Sequence, residues 1–148
     1  HGKAFFGCKN HVSSDANHKF IRSYAVTDAS VHDSQVFTEL LDPDNTSKDV
    51  WANSAYRSEE SLQELQGQGF REHLQRKGCR HKKLTAREQQ GNRSRARVRS
   101  RIEHVFGVIA MRTGSTVMRG IGFIRIRAKI GLRTMAYNLT RYALLAAA

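Results

Sequence analysis

The sequence predicts a mixed α/β fold, and three features carry that expectation. Two short β-branched and aromatic runs flank a polar loop, two further apolar runs flank a capped helical stretch, and two long segments of helical periodicity close the chain. With 148 residues the chain has the length of a single domain, 1–148, and 39% hydrophobic content is enough for a core.

The elements follow in order. "KAFFGCKNHV" and "KFIRSYAVT", joined by "SSDANH", read as a β-hairpin. "VHDSQVFTELL" places Val36, Phe37, Leu40 and Leu41 at helical spacing, and "DPDNTSK", which holds the single proline, ends that short helix. "DVWANSAY" is a brief buried strand with its exit turn. In "SEESLQELQGQG" Ser58 caps a helix, Glu59 and Glu60 occupy its first turn, and glycines follow its end. "FREHLQ" is the next strand. Thr85 and Glu88 then form a capping box, "TARE", opening a long helix to about Arg112 in which Gly91 is the place for a break. From about Phe123 a last helix carries Ile124, Ala128, Leu132, Met135, Leu139 and Tyr142 on one face.

Charge divides the chain. Residues 1–60 hold six Lys/Arg against nine Asp/Glu, whereas residues 61–148 hold nineteen against four, within a net charge of +12. Such an asymmetry points to a polyanionic partner, and nucleic acid is the usual one because each phosphate contact releases a counterion. A merely soluble surface normally mixes both signs. No run approaches the roughly 18 apolar residues of a membrane span. Cys8 and Cys79 read as reduced thiols of an intracellular protein, and the spacing of His73, Cys79 and His81 matches no usual zinc pattern. The chain opens His1-Gly2-Lys3 without methionine or secretory signal, which suggests a fragment.

The densest feature is "RSRARVRSRIEHVFG", residues 93–107, with five alternating arginines and then one carboxylate, Glu103. On a helix Val98, Ile102, Val105, Phe106 and Ile109 form an apolar stripe that packs on the sheet. Glu103 lies about 100° around from Ile102, flanked by Ala96, Arg99, Gly107 and Ala110. An Arg99–Glu103 pair at i,i+4 would explain it at a few tenths of a kcal/mol, and helix geometry does not separate that role from a functional acid. Asp15 in the hairpin loop and Asp33 at a helix start, where capping explains it, read as ordinary structural residues; Asp28 is a weak candidate as well.

Four stretches carry a resemblance: "GCKNHVSSDANHKFIRSYAVTDASVHDSQ", "VWANSAYRS", "RVRSRIEHVFG" and "MAYNLTRYALL". In content and order they resemble the C-terminal part of the catalytic domain of bacterial insertion-sequence transposases of the DDE type, in the branch of insertion sequences four and five. The resemblance spans nearly the whole chain. It implies an RNase H-like mixed sheet flanked by helices, and here one lacking its first, central strand. It also implies Mg²⁺ or Mn²⁺ held by three carboxylates that cut and rejoin DNA phosphodiesters. Glu103 matches the third acid, in the pattern R-x-x-x-E with Arg99. Where similar proteins read A-D-x-x-Y, this chain reads Ala52-Asn53-Ser54-Ala55-Tyr56, so Asn53 stands at the second metal and catalytic position. The pattern's tyrosine and lysine are replaced by Ala96 and Ala110, leaving those roles absent or filled by residues such as Arg112. The first acid would lie on a strand before His1, so this chain alone is expected to be inactive.

The expected partner is double-stranded DNA, at transposon ends and target, contacted by Lys82, Lys83, Arg93, Arg95, Arg97, Arg99, Arg101 and Arg112. The intact protein is expected in the bacterial cytoplasm with the nucleoid, as a homo-oligomer. Two alternatives stay open: a DNA-binding relic or regulator without catalysis, and a basic RNA-binding protein.

Overall fold

A computed structural model describes residues 7–114 and 122–148. The fold is mixed α/β and divides into two compact units, one of residues up to 31 with 102–148, the other of residues 32–101. Residues 3–6 of the expected first strand lie outside the described residues.

In the first unit β1 (Cys8–Ser14) and β2 (Ile21–Asp28) form the antiparallel hairpin, paired from Cys8↔Asp28 to Ser13↔Ser23 with a bulge at Ser14. The loop turns on itself because Asp15 N–H donates to Phe20 O at 2.8 Å and the Asp15 carboxylate accepts from the backbone of Asn17. Helix α3 (Phe123–Ala146) docks along β2 through side-chain-to-backbone bonds. The Asn138 amide accepts from Ile21 N–H and donates to Ile21 C=O, both at 2.9 Å, as a neighbouring strand would. Tyr137 OH and Arg141 Nε donate to the carbonyls of Lys19 and His18. The core beneath is Ile21, Tyr137 and Val105, joined by Val12, Val108 and Ile109. Val105, Val108 and Ile109 belong to α2 (Ala86–Thr113), so the expected apolar stripe is buried in part as read.

The face of α3 that hydropathy singles out is solvated: Leu132, Met135, Leu139 and Tyr142 are 55–66% exposed. The buried face is Ile130, Thr134 and Tyr137, nearly opposite.

In the second unit β3 (Asp49–Ala52) pairs in parallel with β4 (Arg71–Leu74) through the crossover helix α1 (Glu59–Gly67), capped by Ser58 as expected. Phe37, Leu65, Phe70 and Leu74 form its core. The helix expected over residues 31–41 is instead two 3₁₀ turns, Asp33–Val36 and Thr38–Leu40. Phe37 and Leu40, both buried, are three apart, the 3₁₀ period, so this geometry sends them inward together. His32, and not Asp33, is the cap, its side chain accepting from Ser34 N–H. Helix α2 opens on the capping box and runs without a break at Gly91. A Cβ there would lie 2.9 Å from an Arg95 terminal nitrogen, so the glycine makes room for a guanidinium.

Among the described residues the sheets are two separate two-stranded pairs, and no helix is long and apolar enough to cross a membrane.

Candidate nucleic-acid interface

Alternation at every second residue has a particular consequence on a helix. Successive arginines fall about 200° apart, so a run of five splits into two faces. Arg93, Arg97 and Arg101 are exposed, whereas Arg95 and Arg99 are half-buried. The exposed three repeat at i,i+4 and form a row about 12 Å long at 1.5 Å per residue. That length matches three to four phosphates of one DNA strand at about 3.4 Å each. Arg112 is exposed in the last turn of α2.

Lys82 and Lys83 are exposed in the loop that leads into α2. This loop is ordered by contacts of which the sequence signalled only the Thr85–Glu88 box. Cys79 and Lys82 exchange backbone hydrogen bonds at 3.0 and 3.1 Å, which makes Arg80-His81 the tip of a tight turn. Asn92 on α2 accepts from Arg76 N–H at 2.9 Å and donates to Arg76 C=O at 2.8 Å. The Arg76 guanidinium meets Glu88 at 3.0 Å, and Glu88 also accepts from Thr85 N–H and its hydroxyl. The Thr85 backbone N–H, then Arg76, hold the Glu88 carboxyl down to a pKa of about 2. The capping box signalled Glu88 in the sequence; nothing local signalled Asn92, whose partner lies sixteen residues away.

Glu103 is exposed on α2, in the first unit. Asn53 lies in the second unit, just past β3, and caps the 3₁₀ turn Ser54–Tyr56 with Oδ1 accepting from Ala55 N–H at 2.8 Å. Three aspartates, Asp15, Asp28 and Asp49, have structural partners of their own. Asp28 accepts from the Ser30 backbone and hydroxyl, which lowers its pKa. Burial alone would raise that of Asp15, but the backbone N–H groups of Asn17 and His18 outweigh it. Asp49, lowered first by His73 and then by Arg71, binds both, and His73 stacks on Trp51 at 4.9 Å.

Comparison with known proteins places these features. The family model described as "Transposase DDE domain" matches residues 1–139. The chain is 27% identical over 137 residues to the transposase for insertion sequence element IS1106 of Neisseria meningitidis serogroup B, covering 93% of this chain and 47% of that relative. It therefore spans about half the length of the curated relative it matches. No solved structure matches it significantly. With a family model matching nearly its full length, the chain belongs to the DDE transposase domain family.

Proposed function

We propose that this chain is the DNA-holding part of an insertion-sequence transposase and does not cut DNA by itself. The observation that carries the reading is the exposed row Arg93, Arg97 and Arg101, on a helix whose neighbouring loop adds Lys82 and Lys83. Such cations neutralise phosphates without reading bases, so binding is strong at low salt and indifferent to sequence. The whole protein carries out transposition on double-stranded DNA, and contact with the chromosome places it with the nucleoid.

The Mg²⁺ or Mn²⁺ implied by the family does not fit the donors present. Glu103 is one exposed carboxylate, and Asn53 offers a neutral oxygen already accepting from Ala55 N–H. Among the described residues no three His, Cys, Asp or Glu side chains group closely enough to hold an ion. Two-metal phosphoryl transfer builds its ion pair on carboxylates together with substrate phosphates, and one carboxylate with a neutral amide does not supply that set, so no cutting step is assigned to this chain. The amide at Asn53 favours the closely related reading of a regulator that occupies DNA without cleaving it.

The RNase H-like architecture belongs to the same proposal. An antiparallel pair, β1–β2, and a parallel pair, β3–β4, are the two strand arrangements such a mixed sheet combines.

Fluorescence anisotropy with a duplex of about 30 base pairs tests the binding. Replacing Arg93, Arg97 and Arg101 by alanine should lower the slope of log affinity against log salt by about 2–3, at 0.9 per lost phosphate contact, for every sequence alike. Alanine keeps the helix, so unchanged circular dichroism with an unchanged slope would sink the assignment.

A further inference from the structure

We propose that residues 76–83 are a braced basic finger, locked to α2 by Asn92 and Glu88, that contacts DNA phosphates separately from the arginine row. The inference rests on the DNA-binding reading above and extends it to a second element.

Three observations carry it. First, the segment is positive throughout: no acid occurs between Glu72 and Glu88, while Lys77, Arg80, Lys82 and Lys83 are all exposed. Second, it has a fixed shape. The Cys79–Lys82 bridge sets the tip, and Gly78 packs so closely that an added Cβ would lie 3.3 Å from Leu84 N and Lys82 O. Third, its base is clamped at both backbone polar groups of Arg76, N–H and C=O, by the Asn92 side chain, and by Glu88 through the Arg76 guanidinium. Like charges so close together repel and would drive a free loop apart. Bracing holds them where a regularly spaced polyanion relieves the repulsion, and the ordering is complete before binding. Glu88 neutralises Arg76 at the base, leaving the tip and its flanks to face the partner.

Charge and bracing make opposite predictions for one substitution. Glu88→Gln removes a negative charge, so a loop acting by charge alone would bind duplex DNA more tightly. A braced finger loses its clamp and binds more weakly, by roughly two- to tenfold for the segment that must be ordered on binding. Asn92→Ala changes no charge and should weaken binding by a similar factor with the salt slope unaltered. Lys77, Arg80 and Lys82 changed together to alanine should instead lower the slope by about 2–3.

All are read by anisotropy on the whole chain, with helicity checked for each variant. Tighter binding by Glu88→Gln, or parental affinity in a folded Asn92→Ala protein, overturns the bracing. A triple variant with the parental slope overturns the contact. A parent protein that ignores duplex DNA but binds structured RNA of equal length overturns the DNA reading beneath both, and is told apart because no variant is needed to see it.

Discussion

Among the glycines inside helices, Gly91 and Gly131 each have a side chain close by, and the space around each decides what it does. At Gly91 an added methyl meets the far end of the Arg95 side chain, which can swing aside. Gly91→Ala should therefore gain helix propensity, up to about 1 kcal/mol. At Gly131 the methyl would lie 2.6 Å from the Tyr24 hydroxyl, carried on a ring beside α3. Gly131→Ala should cost roughly 1–3 kcal/mol as the ring is displaced. Opposite shifts in the urea midpoint check the pair, and shifts of one sign would contradict it. The sequence alone suggested a helix break at Gly91, because the partner that fills the gap is one turn away and invisible to propensity. The sequence singled out Asn53 but did not reveal its local duty. Its Oδ1 caps a 3₁₀ turn, a duty an aspartate would perform equally, so the fold does not dictate the amide.

At the level of elements, what is local was legible. The hairpin, the β3–α1–β4 crossover, the Ser58 cap and the Thr85–Glu88 box all appear where their residues placed them, because turn chemistry and capping act over a few positions. The orientation of α3 was not legible. Hydropathy marks Leu132, Met135, Leu139 and Tyr142, yet the helix turns Tyr137 and Asn138 inward. The reason is polar: Ile21 is buried at a strand edge, and its backbone groups need partners there. Asn138→Ala leaves both groups unsatisfied and should destabilise the protein by about 2–4 kcal/mol, the sum of two desolvated groups. Leu139→Ala, on the solvated side, should cost well under 1 kcal/mol. Denaturant unfolding of the two variants separates these values, and equal losses would mean that the apolar face is the one that matters.

Across the whole molecule the charges set the pH range of stability. On the acid side Glu88, Asp49, Asp28 and Asp15 all have folded-state pKa values below their ordinary ones. The stability they contribute is present above the unfolded values and is lost as pH falls through the folded ones. For Glu88 that window runs from 4.5 down to about 2. On the alkaline side burial raises Tyr56 from 10.0 to about 12, helped by Asp33, and burial raises Tyr137 as well. Here the sign reverses in direction of pH: the contribution is complete below the unfolded value and disappears as pH climbs through the folded one. The protein should hold a plateau between about pH 5 and 10 and fall away on both sides, the acid limb steepened by the repulsion of its +12 charge as carboxylates are neutralised. Glu88→Gln should flatten the acid limb without moving the alkaline one. Tyr56→Phe should push the alkaline midpoint upward and leave the acid limb in place. Thermal melts across pH 2–12 report both limbs, and a Tyr56→Phe protein that unfolds in alkali at the parental pH would remove Tyr56 as the group whose ionisation opens the second unit.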